Sequence, residues 1–273
     1  MFKLTEIWDN IAYIIYNFFA YIRYFFYDRF KYRKILLRNR ELKDIHKGER
    51  CFIALNGPSI SEYDLSKLEN EFTICSNYFY LSKYHDIIKP NYYCICDSDS
   101  FLPERMNQIH DLFEKGENIK YIFNKKAMDK LNDEEKKNTY FVYGMHMPNY
   151  LSIRKNLGSM SSSFTNVSMF CVICAMYMGF TEINILGCDF SPGGGLVHCY
   201  GNTKDEESVN EVYKRKDRVN LCTFYWSYYL AHVQSFYVEK YAKKHGVKIF
   251  NLNPNSYIRA FDFEDFNHVT SMN

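Results

Sequence analysis

Hydrophobic and polar positions follow two regimes that meet near Gly48. Beyond it, short apolar runs of strand length recur between longer amphipathic stretches. The runs are Cys51–Leu55, Phe72–Cys75, Tyr92–Cys96, Tyr121–Phe123, Tyr140–Val142, Ile183–Leu186 and Lys248–Leu252. Continuous runs of Ile, Phe, Tyr and Val, without strict alternation, predict strands covered on both faces. Between them, Asp64–Glu69, Pro103–Lys115 and Val167–Met178 predict helices. The last puts Phe170, Cys174, Tyr177 and Met178 on one face, with Gly179 as its C-cap. This alternation predicts an α/β fold, a mainly parallel sheet with helices on both faces. No internal repeat and no Pro- or Gly-rich linker divides residues 48–273, which read as one domain.

The first run stops in a small polar turn, Asn56-Gly57-Pro58-Ser59, and Ser61 and Asp64 then offer helix caps. A strand, a glycine turn and a helix start place backbone N–H groups at a carboxyl strand edge, where phosphates bind well. An ordinary strand-to-helix connection would carry the same pattern. After Gly187-Cys188-Asp189-Phe190 the pattern breaks. Ser191–Gly195 is a flexible turn and Thr203–Arg218 is strongly charged, so residues 191–222 read as a mobile lid. Thr223–Lys244 predicts a long aromatic helix carrying His232, and the strand after it ends in Asn253-Pro254-Asn255-Ser256.

Residues 1–47 differ from this body. Ile11–Ile22 is dense in apolar and aromatic side chains, followed by Tyr24–Tyr27, but falls short of the ~20 residues needed to cross a bilayer. Glu6 and Asp9 precede it and no small-residue cleavage site follows, which fits a signal peptide poorly. A basic stretch comes next: Arg29, Lys31, Arg33, Lys34, Arg38, Arg40, Lys43 and Lys47. An aromatic helix beside a basic one predicts an arm lying in the plane of an anionic membrane surface. Packing on the body or pairing with a second copy are the alternatives.

Composition sets limits. A hydrophobic fraction of 47% over 273 residues is enough for a sizeable core. A net charge of +2 makes a nucleic-acid partner an unsuitable expectation. Nine scattered cysteines fit a reducing compartment. Cys94 and Cys96 alternate along one strand and Cys171 and Cys174 sit a helical turn apart, without a second pair at zinc spacing. They read as small buried hydrophobes.

Several islands resemble one family in order along the chain. They are Asn56–Ser59, Ser76-Asn77, Ser163–Asn166, Met178–Phe190 and Val247–Ser256. Together they look like the bacterial sialyltransferases of the Campylobacter lipooligosaccharide type. They also resemble the related domain shared with the archaeal hydroxymethylpterin pyrophosphokinase, found in surface-polysaccharide clusters. The resemblance covers roughly residues 50–260. It implies a Rossmann-like fold, a GT-A-like variant of the sialyltransferase kind, that binds a CMP-activated nonulosonic acid without a required metal. Position by position, Asn56, Gly57, Pro58 and Ser59 would hold the nucleotide phosphate and ribose. Ser76 and Asn77 would meet the nucleotide or donor sugar, and Asp97 falls where the family has an asparagine near the cytidine. Thr165 and Asn166 would face the donor carboxylate or cytosine, with Asp189, Asn255 and Ser256 on the same rim. Two departures stand out. Ser191 occupies the first position at which the family has a phosphate-assisting tyrosine, and Tyr200 is the nearest later aromatic. The family's basic histidine has two counterparts, His198 and His232.

Inverting glycosyl transfer needs a base for the acceptor hydroxyl and neutralisation of the leaving phosphate. A histidine suits the first task. His85, His110 and His146 read as surface or capping residues. Asp97-Ser98-Asp99 is a second signal: two carboxylates two residues apart can reach one Mg or Mn ion against a diphosphate, or can simply cap a helix. The expectation is a glycosyltransferase at the inner face of the cell membrane, passing a nucleotide-activated sugar to a glycan or glycolipid. The other readings are a Mg-dependent pyrophosphokinase of the pterin type and a non-catalytic nucleotide-sugar binder. The aromatic arm and the Tyr-rich helix also offer surfaces for a homo-oligomer.

Overall fold

The computed structural model describes residues 4–116, 118–190, 198–200 and 221–271. The strands in chain order are β1 (Arg50–Ala54), β2 (Thr73–Ser76), β3 (Tyr92–Ile95), β4 (Lys120–Asn124) and β5 (Thr139–Val142). Then come β6 (Gly144–His146), β7 (Ser161–Ser162), β8 (Glu182–Leu186), β9 (Lys248–Asn251) and β10 (Asp262–Phe263). Eight of them form one sheet in the order β10-β9-β8-β1-β2-β3-β4-β5, all neighbours parallel, while β6 and β7 make a separate parallel ribbon. All seven expected strands are present. The central four, β1, β2, β3 and β8, are buried almost throughout, which explains their continuous apolar runs.

Strand order reverses between β1 and β8, because β1 takes β2 on one side and β8 on the other. The carboxyl ends of this pair therefore open a crevice at a topological switch point. Helices cover both faces. The arm holds α1 (Leu4–Arg23), a π-helical turn, α2 (Arg29–Lys31) and α3 (Arg33–Arg38). In the body follow α4 (His85–Ile88), α5 (Met106–Glu114), α6 (Asp133–Lys137), α7 (Val167–Met178), α8 (Leu221–Lys244) and α9 (Phe266–Thr270). One core layer joins α7 and α8 to the sheet through Cys171, Cys174 and Val238, and the other joins α4, α5 and α9 through Ile88, Leu112 and Val269. Helix α7 is apolar all round because it is buried all round, and Gly179 ends it at φ +99°.

Three expectations are corrected here. The β1 turn does not lead into an α-helix: Pro58–Glu62 and Leu65–Leu68 are 3₁₀ turns, and the Ser61 hydroxyl donates to the Pro58 carbonyl rather than capping. Asp64 does cap, accepting from the Ser66 amide. His85 and His146 are not surface residues but buried ones, at 2% and 3% exposure. Most of the expected lid, residues 191–222, lies outside the described residues; within it, His198–Tyr200 is described.

The arm docks on the body through polar groups that periodicity hides. Asn39, fully buried, donates from Nδ2 to the Phe141 and Leu157 carbonyls, both at 2.9 Å. Asn17 donates to the Met147 carbonyl (2.8 Å) and accepts from its amide (2.8 Å). Buried Asp28 takes the Tyr143 hydroxyl and the Arg23 guanidinium, and burial beside that carboxylate pushes the Tyr143 hydroxyl well up. The opposite face of α1 and its π turn stays exposed, with Trp8 at 65% and Phe26 at 73%.

Candidate functional site

The sequence-predicted residues converge on the carboxyl rim of β1, β2, β3, β8 and β9. Asp189, on the loop after β8, organises its centre. Its carboxylate accepts the Ser59 amide (2.9 Å), the Ser59 hydroxyl and the Asn253 side-chain amide (2.7 Å). The Asp189 carbonyl accepts the Tyr257 amide at 2.9 Å. The Gly57 amide donates to the Gly187 carbonyl (2.9 Å), and a Cβ on Gly57 would come within 2.7 Å of the Asp189 carboxyl carbon. The turn therefore closes on an internal carboxylate. Groups expected to cradle a phosphate are engaged by Asp189, while Pro58 stays exposed at the start of its 3₁₀ turn.

The neighbouring loops differ. Asn56 donates to the Ser76 carbonyl (3.3 Å), yet its Oδ1 is buried without a partner. The Ser76 hydroxyl and Asn77 Oδ1 are likewise buried and unpartnered. Asn77 sits at φ +52°, its carbonyl held by the Tyr93 hydroxyl (2.9 Å) and its amide by the Cys94 carbonyl (3.2 Å). That backbone grip leaves the Asn77 side chain for something else.

His198 and Tyr200 reach this rim. The Cys199 amide donates to the Asn56 carbonyl (2.8 Å), and the rings of His198 and Tyr200 stack at 5.0 Å. Burial lowers the His198 pKa, the Asn56 carbonyl opposing it. The imidazole is then neutral at neutral pH, the form a proton acceptor needs. His232, on α8, lies between two carbonyls, Nδ1 at 2.9 Å from Tyr228 O and Nε2 at 3.2 Å from Tyr257 O. Both ring nitrogens are thus in contact with backbone carbonyl oxygens of the protein.

Thr165 and Asn166 open α7 on the same rim, where Ser168 reaches Cys188. Their polar groups are engaged: Asn166 caps the Ser168 amide (2.6 Å), and Thr165 exchanges hydrogen bonds with Gln234 of α8 at 3.0 and 3.3 Å. Ser256 donates to the Cys188 carbonyl (2.5 Å) and accepts from the Ile258 amide (3.0 Å), tying the β9 loop to β8. Asn255 is exposed, its amide on Asn253 Oδ1 at 2.9 Å.

Asp97 accepts the Asp99 amide (2.9 Å) at the start of a 3₁₀ turn. Its carboxyl keeps accessible surface while the protein around it raises its pKa by burial, as a group lining a recess does. Asp99 is exposed. Among the described residues no group of three or more His, Cys, Asp or Glu side chains is placed to hold a metal ion. One contributor escaped the sequence reading: Asn253, which holds the Asp189 carboxylate and for which the Asn253-Pro-Asn-Ser turn carried a signal.

A parallel sheet with a switch-point crevice, rimmed by amides, hydroxyls and a histidine, defines a doubly wound α/β protein with its candidate site at that crevice. The chain belongs to the MptE-like family, described as 6-hydroxymethylpterin diphosphokinase MptE-like, whose model matches residues 31–194. Its fold is that of the sialyltransferase CstII from Campylobacter jejuni. The structure in complex with the substrate analogue CMP-3FNeuAc superposes with a TM-score of 0.52 at 17% identity, covering 80% of this chain and 87% of that one. The structure in complex with cytidine-5'-monophosphate gives 0.50 at 17% identity, covering 81% and 86%. No curated protein matches the chain.

Proposed function

We propose that this protein is an inverting glycosyltransferase that takes a nucleotide-activated sugar, CMP-linked in the first instance, to a glycan acceptor. The observation that carries this reading is the set of unpartnered buried oxygens of Asn56, Ser76 and Asn77 beside His198 on the switch-point rim. Those oxygens suit ribose and sugar hydroxyls and an exocyclic amine. His198 takes the acceptor proton, and Tyr200 holds its ring. Transfer as proposed needs no bound metal. The fold shared with CstII, itself solved with CMP and a CMP-sugar analogue, supports the donor class. Calorimetry with CMP, UDP, GDP and ATP is expected to rank CMP first. His198→Ala is expected to lower transfer about 100-fold or more with CMP affinity retained. ATP as the preferred ligand, with Mg-dependent pyrophosphoryl transfer to a pterin, would replace this reading by the one in the family's description.

We also propose that the arm holds the enzyme on an anionic membrane surface, at the cytoplasmic side. No helix among the described residues is long and apolar enough to cross a membrane. The exposed face of α1 and of the π turn after it instead presents Trp8, Phe18, Phe19 and Phe26, next to a groove of about 660 Å³ lined by Tyr24, Phe25, Arg29, Phe30, Arg33 and Arg40. Apolar side chains at interface depth beside arginines match a phospholipid surface. Because buried Asn39 and Asp28 tie the arm to the body, the test uses substitutions rather than truncation. Full-length protein is expected to float with phosphatidylglycerol vesicles and not with phosphatidylcholine vesicles. Phe19→Glu combined with Phe26→Glu is expected to abolish flotation; unchanged flotation would end the proposal.

A further inference from the structure

The rim holds one charged side chain that the site as described does not use. Arg105, in the segment after β3, is only 4% exposed. Its Nε is buried without a hydrogen-bond partner. No carboxylate pairs with it at ion-pair distance among the described residues. The groups that feel its charge are the Tyr78 hydroxyl and the Asp97 carboxyl. Tyr78, 6% exposed, faces Ser100 and Arg105, and its hydroxyl also lacks a partner of good geometry.

A guanidinium keeps its charge in a protein, and a buried one without a counter-ion is costly. A fold tolerates that where an anion arrives to offset it. Position says which anion. Asn77 and Tyr78 directly follow β2 and Asp97 directly follows β3, on the rim that carries Asn56 and His198, and Arg105 comes to that rim beside Tyr78 and Asp97. The first turn cannot supply the anion site, since the Ser59 amide and hydroxyl are already held by Asp189. What remains is segregated by chemistry. Asn56 and Asn77 offer acceptor oxygens toward hydroxyl and amino groups, while Arg105 and Tyr78 offer donors.

We infer that Arg105, with the Tyr78 hydroxyl beside it, is the anion subsite that receives the donor's phosphate, over β2 and β3 rather than in the Asn56–Ser59 turn. This rests on the nucleotide-donor reading for its ligand, and it gives the leaving phosphate a cation in a chain with Ser191 where the resemblance led to a tyrosine. Bidentate guanidinium contact would neutralise charge that grows as the glycosidic bond breaks.

The test compares CMP, cytidine and inorganic phosphate on the full-length wild type, Arg105→Ala and Arg105→Lys, with circular dichroism as the folding control. Arg105→Ala is expected to weaken CMP binding roughly 10- to 100-fold and leave cytidine binding unchanged, with Arg105→Lys in between. Phosphate is expected to raise the wild-type melting temperature but not that of Arg105→Ala. Should Arg105→Ala fail to fold, Tyr78→Phe is expected to weaken CMP and spare cytidine. Equal CMP affinity in wild type and variants overturns the subsite while leaving the donor reading intact. Phosphate binding that depends on Arg105, without any nucleotide binding, keeps the subsite and overturns the donor reading. Loss of cytidine and CMP affinity in parallel makes Arg105 structural and overturns the inference.

Discussion

Gly187→Ala is expected to destabilise the fold by about 2–5 kcal/mol, summing left-handed strain and overpacking. Gly187 lies just past β8 with φ +65°, a conformation that L side chains rarely adopt. A Cβ there would stand 2.4 Å from the Leu55 carbonyl oxygen and 3.0 Å from its carbon. Both are backbone atoms of the adjoining β1 end, which the Leu55 amide ties to the Leu186 carbonyl at 3.0 Å. No flexible side chain is available to yield, so the two central strands must part. Gly246→Ala isolates the conformational part, because Gly246 has φ +70° and nothing within 4 Å of its would-be Cβ. That variant is expected to lose only about 1 kcal/mol. Urea unfolding of both proteins measures the difference. Equal midpoints would show that the β1–β8 junction is not tightly closed, and the Asp189-centred turn would lose its structural basis.

The strands were legible because burial on both faces leaves continuous apolar runs, and β1, β2, β3 and β8 are covered on both faces. Helix α7 was legible to the residue, since its apolar span ends at a glycine that reverses the chain. The turn after β1 misled because its outcome is decided far along the chain. Asp189 takes the Ser59 amide and hydroxyl, so the local helix-starting groups serve a tertiary contact and 3₁₀ geometry results. The β6–β7 ribbon and β10 are too short to leave a period. The arm's composition pointed to an apolar and basic segment, whereas its attachment depends on single polar residues, Asn17, Asp28 and Asn39, that break no pattern. Most rim residues were found through the ordered islands of small polar residues. Arg105 was not, because an inward-turned arginine reads as surface until its neighbours are known.

His146 supplies the second large effect, and it is a pH effect. It joins the arm to the β6–β7 ribbon: Nδ1 lies 3.0 Å from the Ser162 hydroxyl, and Nε2 lies 3.0 Å from the Ser152 hydroxyl and 3.2 Å from Asn17 Nδ2. Burial, and secondarily the nearby Arg154 charge, lowers its pKa to about 4 from the usual 6.5. The unfolded chain therefore binds this proton more readily than the folded one. Above pH 6.5 the ring is neutral in both states and the fold carries no penalty. As pH falls from 6.5 toward 4, only the unfolded state gains the proton, and stability is expected to drop by up to about 3 kcal/mol. His146→Gln can keep hydrogen bonds to the two serines but cannot titrate. It is expected to lower stability at pH 7.5 modestly, by about 1–2 kcal/mol, and to flatten the fall between pH 6.5 and 4.5. Chemical denaturation across that range measures both slopes. Identical slopes for wild type and His146→Gln would mean that the junction stays wet enough for the imidazole to titrate normally. The arm would then not be sealed to the ribbon in the way the contacts of Asn17, Ser152 and Ser162 with the ring require.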